Sequence, residues 1–224
     1  MFSGITSVVA ATGTPRVAGA YVGASGFSYP TWKPGFYPAG TPSGDFLRSY
    51  AERLNSVELN TTGYRLPAEE QFRRWAEATP AGFRFAVKMA HPNRVGAFTE
   101  RVRELGDRLG PVRIVVQQAR DDAFLARLLD SLDTGLDWAL DFRHESWAGA
   151  ETGPVAVVNT VEGGASFRYL RFRDPPYDEA SLTVLAERVR PLVAGGIEVY
   201  AYFQHEDEPT APAYAMRLLQ LLAA

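Results

Sequence analysis

Eight short runs rich in Val, Ile, Tyr and Phe recur along this chain, and most of the gaps between them carry helical periodicity. That alternation restricts the fold more than any other feature. The runs are "AYVGAS" (20–25), "SVELN" (56–60), "FRFAVK" (83–88), "RIVVQQ" (113–118), "DWALDF" (137–142), "VAVVN" (155–159), "RYLRF" (168–172) and "EVYAYF" (198–203). Between them, "SGDFLRSYAERL" opens on Ser43 as an N-cap, and "PAEEQFRRWAEA" opens on Pro67 with acids in its first turn. "AFTERVRELGDRLG", "DDAFLARLLDSL", "DEASLTVLAERVRPLVAGG" and "APAYAMRLLQLL" follow, with Gly110 and Gly195 placed as C-caps.

Strands alternating with helices predict an α/β chain built as a single (β/α)8 TIM-type barrel. Two connections, "ESWAGAETGP" and "TVEGGASF", are shorter than a full parallel crossover needs, about a dozen residues. The helices after strands five and six are therefore expected to be reduced or missing. A doubly wound open sheet is the rival, but "GASGFS" is not GxGxxG and leads into an aromatic loop. Residues 19–224 are read as one barrel domain and residues 1–18 as a flexible extension without the basic start of a signal peptide. No apolar run is long enough for a membrane span.

Composition narrows the chemistry. The 224 residues are 46% hydrophobic and 22% charged, enough apolar material for a sizeable core. A net charge of -3 argues against a general nucleic-acid coat, and the lack of cysteine excludes disulfides and a thiol nucleophile. A cytoplasmic setting fits.

Barrel sites form where strands end at the C-terminal face. There the sequence places Ser25, then Tyr29, Trp32 and Tyr37; Glu58 and Asn60, then Tyr64; Lys88, then His91; and Gln117 and Gln118. Asp141 follows, with Arg143, His144 and Trp147, then Arg171 and Arg173, and last Tyr202, Gln204 and His205. Strand side chains alternate faces. Glu58 thus shares a face with Asn60, Ala86 with Lys88, Ala139 with Asp141, Tyr169 with Arg171, and Tyr202 with Gln204. The other face carries Val57, Leu59, Phe85, Val87, Leu140, Phe142, Leu170, Phe172, Ala201 and Phe203, suited to packing under helices.

The stretches "GASGFSYPTWKPGFYP", "LNSVELNTTGYRLP", "FRFAVK", "LDFRHESW" and "VYAYFQHED", in this order, resemble the motifs of the DUF72, or YecE-like, family. The resemblance runs over most of the chain from Tyr21 onward. It implies a TIM-type barrel of unestablished activity, with Ser25, Tyr29, Trp32, Glu58, Asn60, Tyr64, Lys88, Arg143, His144 and Trp147 in a shared pocket. Asp141 stands where the family has Glu, "RFRD" places Arg173 at a family histidine position, and "KMAHPNR", "QQARDD" and "FQHED" also depart. These departures, with the short region after Trp147, point to a compact branch of the family.

Three chemistries compete for these residues. Glu58 and Asp141 can split acid and base work, with Asp141 as partner or as orienter of His144; the structural alternative pairs them with cations. Lys88, Arg143, Arg171 and Arg173 can clamp an anion. His91, His144 and His205 with the carboxylates supply divalent-metal donor types, but no HxH or HExxH spacing is present and the nearby cations oppose a metal. Trp32, Tyr64 and Trp147 are read as walls, while Trp75 and Trp138 are read as packing. Ser25 lacks a G-x-S-x-G elbow, and no Walker A sequence occurs. The favoured expectation is an enzyme acting on a small anionic or sugar-like substrate at the barrel mouth, with no cofactor, long nucleic-acid track or membrane partner. The alternatives are a non-catalytic nucleotide or nucleic-acid-end binding module, a metal-dependent hydrolase, and an inactive member.

Overall fold

The computed structural model describes residues 14–89 and 95–224. His91, and residues 1–13 of the expected extension, lie outside the described residues. Within the remainder of that extension, Val17 already packs against the core.

Among the described residues eight strands form: β1 (Ala20–Ala24), β2 (Ser56–Leu59), β3 (Arg84–Met89), β4 (Leu109–Val116), β5 (Trp138–Phe142), β6 (Ala156–Val157), β7 (Phe167–Phe172) and β8 (Glu198–Phe203). Six α-helices accompany them among the same residues: α1 (Phe46–Ala51), α2 (Glu69–Glu77), α3 (Val95–Val102), α4 (Asp122–Ser131), α5 (Glu179–Ala194) and α6 (Thr210–Ala223). Every strand pair is parallel. The strands make two sheets, β1-β8-β7 and β2-β3-β4-β5-β6. The fold is α/β with parallel sheets; among the described residues no strand ladder joins β1 to β2 or β6 to β7.

Side chains bridge both seams. Asn55 accepts from the Val22 N–H at 2.9 Å and donates to Ala20 O at 2.7 Å. The Tyr50 hydroxyl accepts from Ala24 N at 2.8 Å and donates to Ser56 O at 3.0 Å. Gly23 permits this approach, because a Cβ there would lie 1.9 Å from Ser56 O. At the other seam, Asn159 donates from its backbone N to Tyr169 O at 2.8 Å. Its side-chain oxygen accepts from Arg171 N at 2.6 Å, and its Nδ2 donates to Arg171 O at 3.2 Å. Asn159 has φ 66°, a left-handed conformation that asparagine tolerates better than most residues. Buried backbone donors need partners, and these side chains supply them where a ladder would.

After β5 only a single 3-10 turn (Glu145–Trp147) appears, and no α-helix lies between β6 and β7. Instead, the buried Arg168 guanidinium donates to the carbonyls of Val161 (2.5 Å), Gly163 (3.1 Å) and Ala165 (2.7 Å), tying down that connection.

The alternation of strand faces separates two apolar clusters. Val57, Leu59, Phe85, Val87, Leu140, Leu170, Ala201 and Phe203 pack in the larger one, with Phe36, Phe46 and Leu218. Ala86, Ala139, Ala156, Phe167, Tyr169, Tyr200 and Tyr202 form a second cluster on the other face. Small residues opposite large ones fill that space: a Cβ on Gly110 would already meet Tyr200 at 3.1 Å.

Several local expectations are corrected. Gly110 lies inside β4 rather than capping a helix, because that strand begins at Leu109 and not at Arg113. Ser43 starts a 3-10 turn and makes no capping bond; α1 begins at Phe46. Pro67 precedes α2, whose N-cap position is Ala68. Gly195 does sit at the C-cap of α5. Side-chain caps come instead from Asp121, which accepts from Phe124 N at 2.9 Å, and Asp178, which accepts from Ser181 N at 2.8 Å.

Candidate functional site

Parallel pairing brings the C-terminal ends of the strands together. Register sets Glu58 beside Ala86, Lys88 beside Arg113, Arg113 beside Ala139, and Arg171 beside Tyr202. The small Ala86 and Ala139 leave room for one long side chain between them, and Arg113 fills it.

Arg113 is 1% exposed and joins both carboxylates. Its Nε donates to Glu58 Oε1 at 2.8 Å, its Nη1 to Asp141 Oδ2 at 2.6 Å, and its Nη2 to Asn60 Oδ1 at 3.0 Å. Glu58 is fully buried and takes three further contacts: Tyr169 OH at 2.7 Å, Asn60 Nδ2 at 3.1 Å and Arg171 Nη2 at 2.8 Å. Burial alone would raise the Glu58 pKa. Arg113 and Arg171, with the hydrogen bonds from Tyr169 and Asn60, outweigh it and bring the pKa down to about 2. For Arg113, burial disfavours the charge, but Glu58, Tyr169 and Asp141 win and raise its pKa.

Asp141, 3% exposed, gathers the other cations. Its Oδ2 alone meets Arg113 Nη1 at 2.6 Å, Arg143 Nη2 at 2.9 Å and Arg173 Nη2 at 2.9 Å. The Arg143 pKa is lowered by burial; Asp141 opposes this, while Arg173, Arg113 and Arg171 add to it by repulsion. The Arg143 and Arg173 side chains remain 37% and 25% exposed, so they face the opening. Arg171 and Arg173 each keep a buried Nε that finds no acceptor among the described residues. Lys88 reaches over the ring of Tyr64, with Nζ 4.6 Å from its centroid, and meets no carboxylate among the described residues. Tyr64 itself is 82% exposed at the rim.

Beside this cluster, Ser25 Oγ accepts from His205 N at 3.0 Å and lies 3.4 Å from His205 Nδ1. Tyr29 stacks on His205 at 4.6 Å and donates to Ser25 O at 3.0 Å. Burial, with a smaller effect from Glu58, raises the Tyr29 pKa to about 12. Gln204 is exposed and donates its backbone N–H to Phe172 O at 2.9 Å.

Several expected site residues do other work. Trp32 and Trp147 are buried and do not line an opening. Trp32 Nε1 donates to Glu206 O at 3.0 Å, and Trp147 Nε1 to Gln118 O at 2.7 Å, with Phe142 stacked on the Trp147 ring. Tyr37 is likewise buried, stacked on Phe46. Tyr202 lies within the inner cluster, 2.6 Å from Ser56 Oγ. His144 is not oriented by Asp141; its Nδ1 accepts from Ser146 N at 3.2 Å and caps the 3-10 turn. Arg113 and Tyr169 join the site from within their strands, below the strand ends where the sequence places its candidates. A lone arginine inside the apolar run "GPVRIVV" was the available signal, because such a charge needs a buried partner.

No three His, Asp or Glu side chains among the described residues group as metal ligands. A cleft of about 890 Å³ adjoins the cluster, lined by Phe27, Tyr29, Leu59, Asn60, Gln71 and Trp75 among others. No helix of the described residues is long and apolar enough to cross a membrane.

Comparison with known proteins shows the family and the fold. The family description "Protein of unknown function DUF72" matches residues 21–224. The "UPF0759 protein YecE" of Escherichia coli K12 is 31% identical over 138 residues, covering 55% of this chain and 48% of that protein. The same protein of Escherichia coli O157:H7 matches with the same figures. The chain thus spans about half the length of the curated relatives it matches. A DUF72 family protein from Enterococcus faecalis V583 shares the fold in two crystal structures. The one at 3.10 Å resolution gives a TM-score of 0.74 at 18% identity, covering 92% of this chain and 96% of that one. The one at 2.52 Å gives 0.68 at 16%, covering 82% and 96%.

Proposed function

The chain belongs to the DUF72 family, and we propose that its two sheets act as one (β/α)8 barrel whose C-terminal mouth binds a small oxyanion. The observation that carries this reading is the meeting of three guanidiniums on a single oxygen, Asp141 Oδ2, at 2.6 to 2.9 Å. Five cationic side chains (Lys88, Arg113, Arg143, Arg171 and Arg173) stand against two buried carboxylates. An added phosphate or carboxylate offsets that excess, and guanidinium groups match such oxyanions with paired N–H donors. Arg143 and Arg173, partly exposed, make first contact; Lys88 supplies a point charge from the rim; Arg113 stays below, holding the frame.

Glu58 serves this arrangement as an anchor. A general acid works best with a pKa near the operating pH. A carboxyl held at about 2 stays ionised throughout the neutral range and keeps Arg113 and Arg171 in place. Acid–base catalysis by Glu58 is therefore the second reading, and binding is the first. A divalent metal fits less well, because the Asp141 oxygen it would use is enclosed by guanidiniums.

Isothermal calorimetry with inorganic phosphate at constant ionic strength tests the reading. Saturable binding that weakens at least tenfold in Arg173→Ala and in Arg143→Ala is expected. Absence of saturable binding in the parent, or equal affinity in the variants, overturns it.

A further inference from the structure

The cleft of about 890 Å³ meets the mouth only at Tyr29 and Asn60, and none of Lys88, Arg113, Arg143, Arg171 and Arg173 lines it. It lies on the helix-covered side of the sheet: Leu59 of β2 lines it, and its Trp75 wall packs on Phe85, both Leu59 and Phe85 belonging to the larger apolar cluster. Its volume falls in the range of sites for whole small molecules, roughly 300–1,000 Å³.

Helical spacing builds one wall. Gln71, Arg74, Trp75 and Ala78 recur at intervals of three and four residues and so share one face of α2 and its C-cap. Phe27, from the loop after β1, and Leu47 of α1 add apolar surface. Two polar groups on the α2 wall are left unused. Trp32, Trp138 and Trp147 each donate the indole N–H to a backbone carbonyl, and the half-buried Trp75 has no such acceptor among the described residues. Gln71, one turn earlier, bonds among them only through its backbone, with its N–H on Ala68 O at 3.0 Å.

Charge decides the class of ligand. The ionic side chains that line the cleft are Arg65 and Arg74, and no Asp or Glu among the described residues does so. Arg74 is paired with Glu70 at 3.2 Å. The neighbouring acids are already engaged, because Glu70 also meets Arg73 at 3.0 Å and Glu69 meets Arg73 at 3.6 Å. Arg65 is exposed and meets no carboxylate among the described residues, so its guanidinium can take one from a ligand.

We propose that this cleft is a second binding site, separate from the mouth, for a small carboxylate with a flat apolar body. The carboxylate sits on Arg65, whose fork of N–H donors matches its two oxygens, and the ring lies against Trp75 and Phe27. Aromatic rings combine large apolar area with favourable stacking. A cationic ligand finds no carboxylate in the lining. The inference stands apart from the oxyanion reading of the mouth, and either can fail alone.

The test is calorimetry at constant ionic strength with naphthoate, its neutral amide naphthamide, and decanoate, on the parent, Arg65→Gln and Gly44→Phe. Gly44 lines the cleft, and a Cβ there meets nothing within 4 Å, so this variant narrows the cleft without a packing clash at the substituted carbon. Arg65→Gln changes an exposed side chain and keeps the test decisive if Gly44→Phe fails to fold. Naphthoate is expected to bind saturably to the parent, at least tenfold more tightly than either naphthamide or decanoate. Arg65→Gln should bring naphthoate within threefold of naphthamide, and Gly44→Phe should weaken both naphthyl ligands at least tenfold. Inorganic phosphate affinity should stay within twofold of the parent in both variants, because neither position lies at the mouth. No saturable binding of naphthoate overturns the inference whatever phosphate does. Equal affinity for naphthamide overturns the choice of an anion, and equal affinity for decanoate overturns the flat body. A preference for naphthoate that survives in Arg65→Gln, or naphthoate binding unchanged in folded Gly44→Phe, overturns the placement in this cleft.

Discussion

Arg113 Nε donates to Glu58 Oε1 at 2.8 Å in a setting closed to solvent on both sides, with exposures of 1% and 0%. This pair spans β2 and β4 and passes over Ala86 of β3, so it ties three strands through their interior faces. Everything cationic at the mouth is arranged from it: Arg171 on the other Glu58 oxygen, and Arg143 and Arg173 on the Asp141 that Arg113 also holds.

Replacing Arg113 with Met leaves Glu58 and Asp141 buried with fewer partners. Breaking a buried pair from one side costs about 3–5 kcal/mol. Urea denaturation should show that loss for Arg113→Met, and an unchanged midpoint would mean that the pair is not central to stability.

Glu58 also fixes the acid limb of stability. Its folded pKa of about 2 lies below the ordinary 4.5, so the unfolded chain takes up the proton first. The contribution, on the order of 3 kcal/mol, is complete above about pH 5 and is lost as pH falls toward 2. Glu58→Gln should be less stable at neutral pH and should show a flatter decline between pH 5 and 2. A decline as steep as the parent's would assign the acid limb to other groups.

The seams predict a second kind of sensitivity. Asn55→Ala leaves the Val22 N–H and the Ala20 carbonyl buried without partners, at about 1–3 kcal/mol each. Gly23→Ala places a methyl against Ser56 O and should be still more damaging. Thermal melting of both variants checks the order; a Gly23→Ala protein that melts with the parent would contradict the close approach of β1 and β2.

His144 should separate stability from binding. Losing its cap on the 3-10 turn costs at most about 1 kcal/mol. His144→Ala should bind phosphate as the parent does, and a tenfold loss of affinity would return this residue to the site.

Much of the arrangement is legible in the sequence because β-strands alternate with a fixed period. That period puts Glu58, Lys88, Asp141, Tyr169 and Arg171 on the face opposite Val57, Phe85, Leu140 and Leu170, and the structure keeps the two sets apart. Arg113 is not legible in this way, because the run "RIVVQQ" sets it at the start of a strand while β4 begins at Leu109 and holds Arg113 in its middle. Residues beyond a strand end have no such period. The loop aromatics Trp32 and Trp147 turn inward because their indole N–H groups find carbonyls at Glu206 and Gln118, partners far away in sequence that no local pattern announces. The role of Asn159 in holding the backbone of Arg171 depends on a left-handed turn and a missing ladder, both of which are tertiary facts.

The most direct measurement is a crystal structure of the protein grown with tungstate, an oxyanion that anomalous scattering locates without ambiguity. The account predicts a bound anion at the mouth, in contact with Arg143 and Arg173 and within reach of Arg171. Tungstate bound elsewhere with the mouth arginines still paired only to Asp141 and Glu58 would contradict it.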